Sequence, residues 1–441
     1  MSTNLIDIVK SAGIVGAGGA TFPTHVKINA TVDTVIVNGA ECEPLLRVDQ
    51  QLMDVRAADM LAALQAVMDH TKASKGIVGL KKKYVPAINS LRKELINYPQ
   101  IELGIMDNFY PAGDEQTLVY EMTGRIVPEG GIPLNVGTLV INVETLLNIY
   151  DMMTNEKPVI DKYITLTGKV ARRLTTKVPL GITVKEALDL AGGPTIDDFV
   201  VINGGPMMGK IVPLDSYITK GTKGLIVLPK DHYLIQSKTR SHRDSLKLAA
   251  SACMQCSLCT EVCPRNSLGH HLEPHKLMRL AAYGSTCDPK ITATTAFLCC
   301  QCALCQYACV MDLQPWKVND YLKGQLAAQG IKNPHHEQPE KANPFKMQKH
   351  FNVHRLISRL GLDEFDKEAP LEECPVTFKK VTIQMSQHIG APAQPVVAVG
   401  DEVKRGQMIG EIPEKALGAR QFASIDGKVT AIEDGKIVIE A

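Results

Sequence analysis

The spacing of apolar and polar positions changes character several times along this 441-residue chain. Thr34–Val37 and Gly76–Leu80 are apolar runs of strand length, and Asp54–Asp69 and Val85–Tyr98 repeat apolar residues at helical spacing among good helix formers. This alternation predicts an α/β domain with a partly parallel sheet over residues 1–155. Over residues 156–235, Tyr163–Gly168 and Phe199–Asn203 read as strands around one short helix, Val184–Ala191, closed by Gly192-Gly193. That pattern predicts a small β-grasp module. Residues 236–331 turn helical, with one helix expected at Pro274–Tyr283. A polar, proline-rich stretch, Lys332–Lys346, opens a predicted linker over 332–375. From 376 to 441, short strands alternate with turns at Gly390, Gly400, Gly406, Gly410, Gly427 and Gly435, predicting a small barrel or sandwich.

Bulk properties narrow the class. The length suits two to four domains. The net charge is +1, from 48 basic and 47 acidic residues, with no basic stripe that asks for nucleic acid. No apolar run reaches the roughly 18 residues of a membrane span. The start, Met1-Ser2-Thr3-Asn4, has no charged segment leading into an apolar core, so no secretory signal is expected. A cytoplasmic protein whose cysteines stay reduced is the consistent expectation.

The cysteines carry the strongest chemical signal. Cys253, Cys256, Cys259 and Cys263 form one C-x2-C-x2-C-x3-C run, and Cys299, Cys302, Cys305 and Cys309 form a second. Zinc sites typically use paired C-x2-C units, not two runs of four. Disulfides would need an oxidising compartment. The spacing is that of cubane iron–sulfur ligation and resembles the two-cluster bacterial ferredoxins. The resemblance implies two [4Fe-4S] clusters with crossed last ligands: Cys253, Cys256, Cys259 and Cys309 on one, Cys299, Cys302, Cys305 and Cys263 on the other. Cys300 competes with Cys299, but would leave a one-residue gap to Cys302. The two runs are separated by 35 residues that include a helix, whereas a compact ferredoxin joins its runs more tightly and with β-structure. An α-helical ferredoxin is therefore expected.

Near the N-terminus, Gly13–Pro23 is dense in glycine, and Lys27 follows it. Glycines let backbone N–H groups approach a phosphate or a flavin ring closely. The loop follows no predicted strand, which disfavours a Rossmann fingerprint. Gly16–Lys27 resembles the FMN loop of the flavoprotein subunit of respiratory complex I and of the C subunit of the Rnf complex. Three further stretches match the same families in the same order: Asn38–Pro44, Tyr110–Glu115 and Val140–Leu146.

By position, the resemblance implies that Gly16, Gly18, Gly19, Lys27, Asn38, Glu115, Asn142 and Thr145 surround FMN, with Glu41 and Glu43 toward the nicotinamide nucleotide. In complex I, aromatic residues that stack on NADH follow the lysine. Here Ile28 and Asn29 follow Lys27, so the resemblance supports FMN more firmly than NADH. Ala40 stands where the family has aspartate, and Asp114 where it has glutamate.

Residues 160–212 resemble the soluble-ligand-binding β-grasp domain of these families. Ser386–Val403 resembles the barrel-sandwich hybrid domain of the Rnf C subunit, which there precedes the flavin domain. The permuted order is that of the cobalamin reductases of propanediol-utilising bacterial microcompartments. Membership would imply an NADH-dependent oxidoreductase that carries cob(III)alamin or cob(II)alamin toward cob(I)alamin. A corrinoid would be its substrate, and a corrinoid adenosyltransferase and microcompartment shell proteins or enzymes its partners. No nucleophile–base pair is expected, so no residue is assigned a catalytic role beyond the redox centres. The rival readings are an Rnf-type subunit and an electron-transfer subunit fed by a partner.

The remaining candidates read as structural. His270, His271 and His275 are expected to be solvated helix residues, Cys42 a small packing residue, Trp316 packing beside the second cysteine run, Lys428 an ordinary surface lysine, and Cys287 and Cys374 free thiols.

Overall fold

β1 (Thr34–Gly39) is buried almost throughout, as a strand covered on both faces must be. β2 (Lys75–Lys81), β3 (Ile101–Met106) and the two-residue β4 (Phe109–Tyr110) follow, then β5 (Thr138–Asn142). The computed structural model, which describes residues 4–283 and 289–441, orders four of these as β3–β2–β1–β5, all parallel. Seven helices accompany them: α1 (Leu5–Ser11), α2 (Thr24–Lys27), α3 (Val48–Val55), α4 (Ala57–Thr71), α5 (Val85–Glu94), α6 (Glu115–Thr123) and α7 (Val143–Asn155). The helix predicted from Asp54 to Asp69 is in fact two, α3 and α4, which meet at Arg56. Its guanidinium bonds Asp59 at 2.8 Å and Asp151 at 2.5 Å, tying the break to α7.

β6 (Asp161–Gly168), β7 (Leu174–Pro179), β8 (Phe199–Asn203), β9 (Lys210–Val212) and β10 (Gly224–Pro229) build a mixed sheet in the order β7–β6–β10–β8–β9. One helix, α8 (Val184–Leu190), accompanies it. Thr183 and Glu186 cap α8 reciprocally, with N–H···O distances of 3.1 and 2.7 Å. The cysteine region is helical, and no strand occurs among the described residues between 233 and 350. The helix expected at Pro274–Tyr283 has those bounds. Cys287 and Met1–Thr3 lie outside the described residues. The last part has a four-stranded sheet (Lys380–Gln384, Lys436–Glu440, Gly427–Glu433, Glu402–Val403) and a three-stranded one (Gln394–Pro395, Met408–Glu411, Gln421–Phe422). Among the described residues no helix is long and apolar enough to cross a membrane.

The stretch expected to be a linker is packed as a strap. Glu129 N–H donates to Glu337 O at 2.9 Å, Lys346 pairs with Glu121, and Lys349 pairs with Glu261 at 2.6 Å. Phe351–Asn352 then pairs with β4, and Val353–Arg359 forms a helix. The polarity of this segment therefore serves ion pairs across the surface it covers.

One continuous apolar core joins three parts of the chain, through Val35 and Leu64, Ile164 and Ile182, and Ile383 and Ile437. Lys220, 2 % exposed, stands at this junction. Its Nζ donates to Gly13 O at 2.9 Å and Arg420 O at 2.7 Å. Burial lowers its pKa from 10.5 to about 7. Between those values the unfolded chain binds the extra proton, so stability from this residue rises with pH across that window. The cost of burying the charge is fully present below pH 7. The thermal midpoint of the protein, measured relative to that of Lys220→Met, should therefore rise from pH 7 to pH 10. A pH-independent difference would refute the linkage.

Candidate functional site

The carboxyl ends of β1 and β5 lie side by side, with Asn38 in register with Asn142. Open parallel sheets bind ligands at this edge. The glycine-rich loop, between α1 and α2, closes on itself through Gly16 N–H to Phe22 O at 2.9 Å and the Val15–Pro23 bridge. It then meets the first turn of α7. Ala17 N–H donates to Thr145 Oγ at 2.9 Å, and a Cβ at Gly18 would lie 3.6 Å from the Asn142 side chain. Asn142 itself caps α7, accepting from Glu144 N–H at 3.0 Å. Gly19 has φ +120°, and among the described residues beyond its chain neighbours no atom lies within 4 Å of where a Cβ would stand. Its backbone is thus open on the side a ligand would occupy, beside a helix N-terminus that favours anions. These features fit a flavin phosphate and ring.

Three further residues named from the sequence, Lys27, Asn38 and Glu115, lie on the same edge. Lys27 Nζ lies 2.7 Å from Glu115 Oε1, and Asn38 Nδ2 donates to Gly113 O at 2.9 Å. Glu41 and Glu43 are engaged otherwise. Glu41 accepts from Asp49 N–H at 2.8 Å and Gln50 N–H at 3.2 Å, holding the first turn of α3. Glu43 accepts from Met207 and Met208 N–H, both at 2.9 Å, holding the turn between β8 and β9. Burial raises the pKa of both carboxyls. Cys42, between them, has its thiol pushed up to about 11 by burial, so it is a neutral packing group.

Beneath the loop lies an ionic cluster that the motifs did not reveal. Glu144 Oε2 meets Lys162 Nζ at 2.5 Å and Lys223 Nζ at 3.1 Å, and Lys223 reaches Asp49 Oδ1 at 2.6 Å. None of these four side chains is more than 9 % exposed. Burial alone would raise the Glu144 pKa, but the two ammonium groups outweigh it and hold the carboxyl below its ordinary value. The cluster also carries the site: Lys162 donates to Ala17 O at 3.2 Å, and Asn142 Nδ2 to Asp49 Oδ2 at 2.9 Å. The signal for it was faint: lone lysines inside or beside strands, and a glutamate within the Val140–Leu146 stretch.

The cysteines line two cavities. Cys253, Cys256, Cys259 and Cys309 line one, and Cys263, Cys299, Cys302 and Cys305 the other, together with Cys300 and Trp316. Each cavity thus takes three cysteines of one run and the last of the other. The runs also share a backbone plan. Gln255 and Ser257 have φ of 56° and 59°, and Gln301 and Ala303 have 60° and 61°. Gln255 Nε2 donates to Cys253 Sγ at 3.2 Å, and Gln301 Nε2 to Cys299 Sγ at 3.6 Å. Cys299 is therefore the counterpart of Cys253, and Cys300 that of Met254. A mostly apolar wall, four thiols and no disulfide among the described cysteines suit a cubane cluster.

The second cavity abuts the edge that carries the glycine-rich loop. Tyr110 Oη donates to Cys302 O at 2.8 Å. Arg265, two residues after Cys263, binds Asp114 through both Nη atoms, at 2.5 and 2.8 Å. Asp114 also caps α6, beside Glu115. The first cavity is more open: Cys256 is exposed, and Met254 and Val310 at its wall are about 60 % exposed. Of the histidines expected to be solvated, His270 is 2 % exposed and its Nε2 lies 2.9 Å from Val127 O, whereas the side chain of His271 is 63 % exposed. His275 Nδ1 lies 2.7 Å from Thr260 Oγ.

Four family models match the chain: the Nuo51 FMN-binding domain over residues 9–151, the SLBB domain over 163–210, the 4Fe-4S dicluster domain over 252–314 and the RnfC barrel sandwich hybrid domain over 362–440. Cobalamin reductase PduS of Citrobacter freundii is 44 % identical over 98 % of this chain and 95 % of that protein. Cobalamin reductase PduS of Salmonella typhimurium has the same identity and coverage. The C subunit of the Na(+)-translocating ferredoxin:NAD(+) oxidoreductase complex of Acetobacterium woodii is 36 % identical over 60 % of this chain and 58 % of that protein.

Proposed function

This chain belongs to the family of the cobalamin reductase PduS, and we propose that it reduces a corrinoid, drawing electrons from NADH through FMN and two [4Fe-4S] clusters. One NADH would reduce two cob(II)alamin to cob(I)alamin, releasing NAD+ and a proton. Bound FMN would supply the exchange between a two-electron donor and one-electron carriers. The chain's own part is to hold the centres in line and exclude water between them. The observation that carries the reading is the pair of links from the flavin edge to the nearer cysteine cavity, Tyr110 to Cys302 and Asp114 to Arg265.

In this reading Gly16, Gly18, Gly19, Lys27, Asn38, Glu115, Asn142 and Thr145 hold FMN. Glu41 and Glu43 shape its surroundings through α3 and the turn at Met207. The clusters take the crossed ligand sets, and the open Cys253/Cys256/Cys259/Cys309 cavity faces the electron acceptor. We divide the chain into a flavin domain (1–155), a β-grasp domain (156–235), an α-helical ferredoxin domain (236–331), a strap (332–375) and a barrel-sandwich hybrid domain (376–441). We also propose a place beside a corrinoid adenosyltransferase in a propanediol microcompartment, the setting that the resemblance in domain order implies.

The test is anaerobic. Protein reconstituted with FMN, iron and sulfide is mixed with NADH, with and without cob(III)alamin. Flavin bleaching followed by cob(II)alamin absorbance is expected. Bound FMN and clusters that NADH leaves oxidised would overturn the NADH step. That result would favour a partner-fed electron carrier, the reading to which Ile28 and Asn29 after Lys27 lend support.

A further inference from the structure

The two cysteine cavities differ in charge. Among the described residues, the wall around Cys253, Cys256, Cys259 and Cys309 contains no lysine or arginine. The wall around Cys263, Cys299, Cys302 and Cys305 contains Arg265. Arg265 is 8 % exposed and follows Cys263-Pro264 directly, so its backbone is anchored to a cysteine of that same cavity. Its guanidinium is oriented by the two-pronged bond to Asp114, a geometry that lysine would not reproduce. Asp114 does not line the cavity, so the pair presents its positive end inward and its negative end toward the flavin edge.

A buried, oriented charge acts on its surroundings with little screening. One-electron reduction of a cluster held here would add one negative charge without breaking a bond. A fixed cation beside it therefore favours the reduced state over the oxidised one, as charged and hydrogen-bonding neighbours of a cluster do generally. Asp114 opposes that effect from farther away. It also belongs to the same turn as Glu115, the partner of Lys27. The ion pair thus connects the loop proposed to hold FMN with the cluster proposed to take its electrons.

Resting on the flavin and two-cluster reading, we propose that Arg265, held by Asp114, is the positioning residue that raises the reduction potential of the Cys263/Cys299/Cys302/Cys305 cluster and keeps it the ready acceptor beside the flavin.

The experiment is a potentiometric titration followed by electron paramagnetic resonance on the reconstituted full chain. The signal of this cluster is identified as the one that disappears in Cys302→Ala. Arg265→Gln should lower its midpoint enough to cut the reduced-to-oxidised ratio at a fixed potential at least tenfold, which is 59 mV for one electron. Asp114→Asn, which keeps the arginine and removes its counter-charge, should move the midpoint the other way. Arg265→Lys, which keeps the charge without the two-pronged hold, should lower the midpoint less than Arg265→Gln, and the other cluster should hold its midpoint in all three variants. A residue that only packs would not give shifts of opposite sign. An unmoved midpoint in Arg265→Gln, or shifts of the same sign in Arg265→Gln and Asp114→Asn, would overturn the proposal. If Arg265→Gln loses this cluster, Asp114→Asn decides alone: an upward shift supports the proposal and any other result overturns it. Absence of iron from the reconstituted wild-type protein would instead overturn the two-cluster reading beneath it.

Discussion

Cys302→Ala should remove one cluster, leave roughly half of the iron and abolish cob(II)alamin formation, while NADH still bleaches the flavin. Cys302 lines the cavity beside Tyr110 and Arg265, so in the proposed reading its cluster would stand between the flavin and the second cluster. The crossing of ligands gives a sharper form of the test. Cys263 comes from the first run but lines the cavity of Cys299, Cys302 and Cys305, and Cys309 comes from the second but lines that of Cys253, Cys256 and Cys259. Cys263→Ala should therefore erase the same spectroscopic signal as Cys302→Ala, and Cys309→Ala the same signal as Cys256→Ala. Pairing by run, Cys263→Ala with Cys256→Ala, would refute the crossed assignment. Cys300→Ala should retain both clusters, since Cys299 accepts the glutamine hydrogen bond that its counterpart Cys253 accepts in the other run.

Lys223→Met should cost about 3–5 kcal/mol of stability, the range expected when one partner of a buried ion pair is removed. Burial opposes the Lys223 charge, but Asp49 and then Glu144 outweigh it and raise its pKa above the ordinary lysine value. Deleting the ammonium leaves Asp49 without its 2.6 Å partner and Glu144 with the Lys162 ammonium and the Tyr163 N–H. Lys27→Met is the control. Its ion pair with Glu115 is part-exposed, at 28 % and 45 %, and such pairs contribute about 0–1 kcal/mol. Urea titrations of the two variants should differ accordingly. Equal losses would show that the buried cluster does not hold the flavin edge together. Since Lys162 and Asp49 also touch Ala17 and Asn142, Lys223→Met should weaken FMN retention as well as the fold.

Much of the chemistry was legible in the chain because its determinants are local. Cysteine spacing limits which thiols can converge on one cluster. Glycines mark a loop that must leave backbone open. Each of these depends on residues a few positions apart, where bond geometry leaves few alternatives. The alternating pattern of the first 155 residues likewise predicted the parallel sheet, because burial of a strand requires an unbroken apolar run. One misreading, the single helix over Asp54–Asp69, came from a break that rests on Arg56 reaching Asp151 on another helix.

What only the tertiary structure decided are the pairings across long stretches of chain. Asp114 meets Arg265 across 151 positions, Tyr110 meets Cys302 across 192, and Lys223 meets Asp49 across 174. Glu41 and Glu43, two positions apart in one motif, are turned to different duties by backbone N–H groups from different parts of the fold. The polar stretch after residue 332 looked free because its partners, Glu121 and Glu261, lie far away in sequence. A buried charge is tolerated only where its counter-charge arrives by folding. For that reason the sequence by itself determined the cysteine runs and the flavin-domain motifs, and the folded chain decided how those segments are joined.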